Sequence, residues 1–181
     1  MLKRLVIAAT IVGLAPLSLS GAAWAHGPSR QKVTETIEIN APVDKVWKAV
    51  GNFQDMSWLP IVAKTEGKGG NDVNATRVLT LKSGGTVEEQ LDKYSAEDHV
   101  YAYEITKVDV KVLPVNDYSS HITVEADGDN KSTVTWWGGF YRGYMLNDPP
   151  PDLTDEVALK AVTDLYKAGL DGLKKKVEGG G

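Results

Sequence analysis

Five side chains that recur at strand spacing carry groups suited to a binding or acid–base site: Arg77, Glu89, Tyr103, Tyr118 and Trp136. Side chains on one face of a strand recur every two residues. This period places Arg77 near Glu89 across residues 83–85, where Ser-Gly-Gly favours a hairpin turn. A buried ion pair is costly unless it is well hydrogen-bonded, so it often marks a functional cavity. The alternative is that the two side chains face water or pair only for structure.

Aromatic residues close to these positions are numerous enough to line an apolar cavity. Tyr101 and Phe140 share predicted strand faces with Tyr103 and Trp136, and Trp58 precedes these strands. Aromatic residues at strand spacing also form ordinary cores, so both interpretations stay open. The predicted ligand-cavity residues are Trp58, Arg77, Glu89, Tyr101, Tyr103, Tyr118, Trp136 and Phe140.

A loop at residues 141–152 combines an arginine and several large apolar side chains with a run of three prolines. Exposed aromatic residues beside arginine are typical of interaction surfaces. The alternative is a capping loop whose aromatic side chains fold back over the end of a helix. The predicted partner-contact residues are Tyr141, Arg142, Tyr144 and Met145.

The sequence gives little support to nucleophilic or metal-dependent chemistry. It has no cysteine, which excludes a disulfide framework, a thiolate zinc site and a cysteine nucleophile. None of its three histidines, His26, His99 and His121, accompanies a serine motif of the nucleophile-elbow kind. We predict no catalytic residue, no metal and no cofactor. Enzymatic acid–base chemistry would require burial to raise the pKa of Glu89.

Periodic patterns predict the elements that must position these residues. A strand ends near Asn40, a helix follows from Pro42 with its apolar stripe at Val43, Val46 and Val50, and a second short helix over 56–59 stops at Pro60. Alternation then bounds strands at 76–81, 86–94, 100–112, 115–126 and 132–140. A long helix begins after Asp152 or Thr154 and carries a stripe of residues including Leu165, Tyr166 and Leu173.

This order predicts an α+β fold with a curved seven-stranded antiparallel sheet, one strand before the short helices and six after them. Short connections between successive strands favour antiparallel pairing, and one covered face explains the alternation. We expect the long C-terminal helix to cross the concave face and the two short helices to cover one edge. That arrangement leaves room for a cavity between sheet and helix.

The first residues predict export. Lys3 and Arg4 precede an apolar run over 5–19, and Ala23 and Ala25 form a small-residue cleavage motif. We expect a signal peptide over 1–25 that is cleaved after Ala25, a flexible segment over 26–32, a single domain over 33–178 and a periplasmic location. The apolar run is shorter than the roughly 20 residues of a membrane span, so we expect no membrane attachment after cleavage.

Charge argues against nucleic acid as a partner. The chain carries 20 Lys and Arg against 24 Asp and Glu, for a formal net charge of −4. No block of one sign stands out, and nucleic-acid binding proteins are usually basic on one face.

The strand–helix junction and the order of elements resemble the SRPBCC superfamily, the START-like and polyketide-cyclase-like helix-grip proteins. The motif Ile39-x-Ala41-Pro42-x-x-x-Val46-Trp47 carries the likeness, together with Trp58-Leu59-Pro60, Arg77-x-Leu79 and Glu89-x-Leu91. The likeness covers about residues 33–177. It implies the helix-grip fold and a cavity that binds a small apolar ligand or, in the cyclases, performs chemistry.

A narrower likeness is to the exported MxaD-type protein of methylotrophic bacteria. The segments over 51–60, 105–120 and 140–151 carry it. This likeness implies a non-enzymatic accessory protein of methanol oxidation that contacts the quinone-dependent methanol dehydrogenase, its cytochrome c acceptor, or both. The alternatives are a periplasmic carrier of a small apolar ligand and a cyclase- or dehydratase-like enzyme.

Overall fold

The computed structural model describes residues 27–180. The predicted signal peptide and His26 lie outside these residues. The elements in chain order are β1 (Gln31–Ile39), α1 (Val43–Val50), β2 (Val62–Lys68), β3 (Thr76–Leu81), β4 (Thr86–Ser95), β5 (Val100–Val108), β6 (Val115–Ala126), β7 (Ser132–Arg142) and α2 (Asp155–Glu178).

All seven strands form one antiparallel sheet in the order β1-β7-β6-β5-β4-β3-β2. Each strand after β2 pairs with its predecessor, and β1 closes the far side by pairing with β7. Register shifts interrupt the β2–β3, β4–β5 and β6–β7 ladders, and such bulges increase local twist and bending. The predicted α+β helix-grip fold is confirmed.

The sequence pattern did not predict where β2 begins and ends, because β2 is an edge strand with a single buried residue, Val62. The predicted strand at 100–112 is wrong at its end, since β5 stops at Val108. There the Asp109 carboxylate accepts a hydrogen bond from the Lys111 backbone at 2.9 Å, and the Val112 backbone donates to the Asp109 carbonyl at 2.8 Å. These local bonds turn the chain and compete with the ladder.

The second short helix predicted over 56–59 is absent from the described residues, which turn there instead. The Leu59 backbone donates to the Met56 carbonyl at 2.9 Å, and the Val62 backbone donates to the Leu59 carbonyl at 3.0 Å. A proline disfavours helical dihedrals in the residue before it, and Pro60 follows Leu59 directly. The Asp55 carboxylate also accepts a hydrogen bond from the Ser57 backbone N–H, with an N–O distance of 2.8 Å.

Helix α2 begins after Thr154, whose hydroxyl accepts a hydrogen bond from the Val157 backbone. Its apolar stripe packs on β1 and β7, and it also touches α1. Gly172 brings the helix close to the turn before β2, because a Cβ there would lie 2.3 Å from the Trp58 carbonyl oxygen. Among residues 27–180, neither helix combines the length and the apolar character that a membrane span requires.

Candidate functional site

A cavity of about 350 Å³ lies between the sheet and α2. Volumes of roughly 300–1,000 Å³ are typical of small-molecule sites. Its lining is mostly aliphatic and aromatic, and its polar members are few. The lining residues are Met56, Leu59, Ile61, Leu79, Leu81, Val87, Glu89, Tyr103, Ile105, Val112, Leu113, Tyr118, Trp136, Ala161, Asp164, Leu165 and Ala168.

The cavity reaches from the protein interior to solvent. Tyr103 and Trp136 are 2% and 1% exposed, whereas Ile61 is 40% exposed. Asp164, on α2, also lies at the surface. The cavity is therefore open to solvent beside the middle of α2.

Arg77 and Glu89 are direct cross-strand partners in β3 and β4. The Arg77 Nε donates to Glu89 Oε2 at 2.5 Å, and both side chains are buried. Arg77 Nη1 also donates to the Phe53 carbonyl at 2.7 Å, while the guanidinium lies 4.1 Å from the centre of the Phe53 ring. Glu89 lines the cavity whereas Arg77 does not, so the carboxylate is the member of this ion pair that faces the cavity.

Burial raises the pKa of the Glu89 carboxyl above its ordinary value of 4.5, and the Arg77 charge opposes this rise without cancelling it. Burial alone would lower the pKa of Arg77, but Glu89, Tyr101 and Tyr103 together raise it by more, so the guanidinium stays charged. Burial also raises the pKa of Tyr101 to about 12 and that of Tyr103 well above its ordinary value. The site therefore holds neutral tyrosines around one ion pair.

A chain of hydrogen-bonded hydroxyl groups begins at the cavity wall, with Tyr103 and Tyr118, and continues behind it. We call it the tyrosine chain and define it as Tyr103, Tyr118, Tyr166 and Ser120. The hydroxyl oxygens of Tyr103 and Tyr118 are 3.5 Å apart, those of Tyr118 and Tyr166 are 2.7 Å apart, and Tyr166 lies 3.0 Å from Ser120 Oγ. Tyr166 belongs to α2 and the others to the sheet, so this network joins the two layers.

The structure divides the eight predicted cavity residues into two groups. Glu89, Tyr103, Tyr118 and Trp136 line the cavity. The other four support it from behind: Trp58 packs edge-on against Trp136, Phe140 stacks on Tyr118, Tyr101 packs against Phe53, and Arg77 holds Glu89. These four residues therefore contact the lining residues or their neighbours but do not themselves line the cavity.

Sequence reasoning missed Ser120 and Tyr166 as site residues. Ser120 occupies an inward position on β6, next to the buried Ile122 and Val124. A hydroxyl on an apolar strand face requires a buried partner, and that was the available signal. Tyr166 lies in the apolar stripe of α2, and nothing in its spacing indicates that its hydroxyl meets Ser120.

The loop at residues 141–152 differs from the predicted contact surface at one position. Arg142 is buried, not exposed, and its guanidinium donates to the Tyr144 and Leu146 carbonyls and to Asp155 at 2.8, 2.9 and 3.0 Å. It anchors the loop to the start of α2 because a buried guanidinium must satisfy its donors. Tyr141 and Tyr144 are half-buried, while Met145 and Leu146 are exposed.

Within residues 27–180, no three acidic or histidine side chains group as metal ligands. His121 stacks on Trp137 on the outer face of the sheet, with ring centres 3.9 Å apart. His99 lies beside Trp47 at a turn. Neither imidazole belongs to the cavity lining.

A curved antiparallel sheet that holds a long helix over an apolar cavity defines a helix-grip, cavity-forming protein. The chain belongs to the family described as polyketide cyclase / dehydrase and lipid transport, whose model matches residues 30–178. The SRPBCC membership expected from the sequence is confirmed. The narrower likeness to the MxaD-type protein stays a prediction.

Solved structures share the fold over most of the chain. An uncharacterised protein from Bacillus thuringiensis is 27% identical with a TM-score of 0.69, and the match covers 81% of this chain and 98% of that one. The protein XoxI from Bacillus cereus is 28% identical with a TM-score of 0.68, covering 81% and 94%. The Zhui aromatase/cyclase from Streptomyces sp. R1128 is 16% identical with a TM-score of 0.67, covering 83% and 94%. No curated protein is significantly similar to this chain in sequence.

Proposed function

We propose that this protein binds one small, mainly apolar molecule in the cavity between its sheet and α2, and acts as a non-enzymatic periplasmic carrier of it. The observation that carries the proposal is the cavity itself, about 350 Å³ of mostly apolar lining with a buried carboxylate and tyrosine hydroxyls at its floor. Such a cavity gains affinity from apolar burial and orientation from a few polar groups. Membership of a family that includes lipid transport agrees with this function.

Tryptophan fluorescence during titration with butylbenzene tests this function, because Trp136 lines the cavity and Trp58 packs against it. We expect a saturable change with one molecule bound per chain. Ala168→Trp fills the cavity from α2 and should abolish the saturable phase. Leu159→Trp, at a position of the same helix that is 38% exposed, is the matched control and should leave it unchanged. Equal binding by both variants would contradict the proposal.

Acid–base chemistry on the bound molecule is a second candidate. It is favoured by the Glu89 carboxyl, which lines the cavity beside Tyr103 and has its pKa raised by burial. Mass spectrometry of the molecule extracted from the protein, before and after incubation with it, separates the two functions. A carrier returns the molecule unchanged, whereas an enzyme converts it and loses the conversion in Glu89→Gln.

A third candidate is the accessory role in methanol oxidation that the sequence resemblance implies. Met145 and Leu146, which are 44% and 68% exposed on the loop at 141–152, supply an apolar surface for a partner. Surface plasmon resonance with purified methanol dehydrogenase and its cytochrome c tests this role. Met145→Ser with Leu146→Ser should weaken binding by at least about tenfold, as loss of central apolar contacts does. Val73→Ser, at an exposed site on another loop, should not.

A further inference from the structure

One end of the tyrosine chain, Ser120, has two partners with fixed roles, and these determine the direction of every hydrogen bond in the chain. Trp136 Nε1 donates to Ser120 Oγ at 2.7 Å, and an indole N–H can only donate. Ser120 Oγ also lies 3.0 Å from the Trp137 carbonyl, and a carbonyl oxygen can only accept. The single Ser120 proton is therefore committed to Trp137.

The remaining protons follow in sequence. Because Ser120 has no further proton, Tyr166 donates to Ser120 across the 3.0 Å contact. Tyr118 then donates to Tyr166 at 2.7 Å, and Tyr103 donates to Tyr118 at 3.5 Å. A hydroxyl group has one proton and two lone pairs. Tyr103 is thus left with unused lone pairs and no free proton, and it lines the cavity.

The charged group at the floor of the cavity also accepts only. Glu89 Oε2 accepts a hydrogen bond from Arg77 Nε, and within residues 27–180 no hydrogen bond reaches Oε1. The one N–H group of the Trp136 indole donates to Ser120 and is not available to a ligand. On the rim, Asp164 is a carboxylate paired with Lys160. Every polar side chain in the lining therefore presents acceptors to whatever occupies the cavity.

We propose that the ligand is an apolar molecule whose polar end is a hydroxyl group, alcoholic or phenolic, that donates its proton to Glu89 Oε1 or to the Tyr103 hydroxyl oxygen. This inference rests on the proposed binding function and adds its ligand class. A ligand whose polar end can only accept would leave that group unpaired beside other acceptors, which costs affinity. A carboxylate would in addition meet the charge of Glu89 in a site of low polarity.

Three probes of similar shape separate these cases in isothermal titration: 4-butylphenol, which donates, 4-butylanisole, which only accepts, and butylbenzene, which does neither. One hydrogen bond to a charged group is worth about a tenfold change in affinity. We expect 4-butylphenol to bind about tenfold more tightly than both other probes. If 4-butylanisole bound as tightly as 4-butylphenol, the inferred ligand class would be wrong while the binding function stood. If no probe bound, the binding function and the inference would fail together.

Two variants test the origin of the preference. Tyr166→Phe removes the acceptor of the Tyr118 proton, so Tyr118 can donate to Tyr103 and Tyr103 can donate to the ligand. Glu89→Gln keeps the size of the side chain and gives it an N–H donor. In each variant the preference for 4-butylphenol over 4-butylanisole should fall below about threefold, the effect of a weakened hydrogen bond. Two folded variants, checked by circular dichroism, that kept a tenfold preference would overturn the inference.

Discussion

Gly169 of α2 lies directly against the indole ring of Trp136 in β7. A Cβ added at Gly169 would come within 2.6 Å of Trp136 Cζ3 and 3.0 Å of Leu59 Cδ1. A glycine inside a helix costs up to about 1 kcal/mol relative to alanine, so its presence needs a packing reason. Here the missing side chain lets the helix approach Trp136, which lines the cavity.

We expect Gly169→Ala to lower the free energy of unfolding by about 1–3 kcal/mol, the usual cost of overpacking a dense core. The gain in helix propensity offsets only part of this cost. Asp171→Ala, on the exposed side of the same helix, raises propensity without the clash and is the control. Urea unfolding followed by circular dichroism measures both. A stabilised Gly169→Ala variant would show that the helix can shift without loss.

The buried ion pair predicts strong coupling between two strands. Arg77→Met should lower the free energy of unfolding by about 3–5 kcal/mol, because it leaves the Glu89 carboxylate buried without a partner. Adding Glu89→Leu to Arg77→Met should restore a large part of that loss, since no uncompensated charge then remains.

The matched control is the exposed pair of Lys107 and Glu88, which joins neighbouring strands at 2.9 Å. Its coupling in the same double-mutant cycle should stay below about 1 kcal/mol, as for other surface pairs. Urea unfolding of the single and double variants gives both coupling energies. Equal coupling in the two pairs would mean that burial does not govern the Arg77–Glu89 interaction.

The raised pKa of Glu89 predicts a pH dependence of stability with a definite sign. Burial raises this pKa above 4.5, so between that value and the folded-state pKa the folded protein binds more protons than the unfolded chain. The contribution of Glu89 to stability is therefore greatest below pH 4.5 and declines as the pH rises through this window.

Comparison with Glu89→Gln isolates that contribution, because the other titrating groups are common to both proteins. The free energy of unfolding of the wild-type protein minus that of the variant should decrease as the pH rises from 4 towards neutrality. Urea unfolding at pH steps of about half a unit measures it. A difference that increases with pH would mean that Arg77 outweighs burial and lowers the pKa of Glu89.

The buried position of Arg142 predicts that this residue keeps the loop after β7 structured. Arg142→Ala removes three charged hydrogen bonds to the Tyr144 and Leu146 carbonyls and to Asp155. We expect a loss of about 2 kcal/mol or more in the free energy of unfolding and faster proteolysis at residues 144–152. Arg30→Ala removes an exposed arginine that contacts Asp117 and serves as the control. Unchanged cleavage in Arg142→Ala would show that the prolines alone hold the loop.

Sequence patterns predicted the fold and the Arg77–Glu89 contact because both follow from local periodicity. Inward and outward alternation on two strands joined by a short turn determines which side chains meet across it. The bounds of β2 could not be predicted, because an edge strand needs little apolar surface and so shows little alternation. The helix predicted over 56–59 does not form, because Pro60 disfavours helical dihedrals at Leu59 and the Asp55 carboxylate accepts a hydrogen bond from the Ser57 backbone.

The tyrosine chain could not be predicted, since it joins β5, β6 and α2 across large sequence separations. Tyr118 and Tyr166 meet only once the sheet has curved and α2 has docked on it. The same reason explains why Arg142 was expected at the surface. An arginine before a loop is usually solvated, and its burial here depends on Asp155 at the start of a helix that the loop itself positions.

The most direct test of the central claim is a crystal structure of the full protein with bound 4-butylphenol. We predict one molecule between the sheet and α2, with its butyl group among the aliphatic residues near the mouth. Its hydroxyl oxygen should lie within hydrogen-bonding distance, about 3 Å, of Glu89 Oε1 or the Tyr103 hydroxyl oxygen. A cavity closed by its own side chains, with the probe bound elsewhere on the surface, would contradict the account.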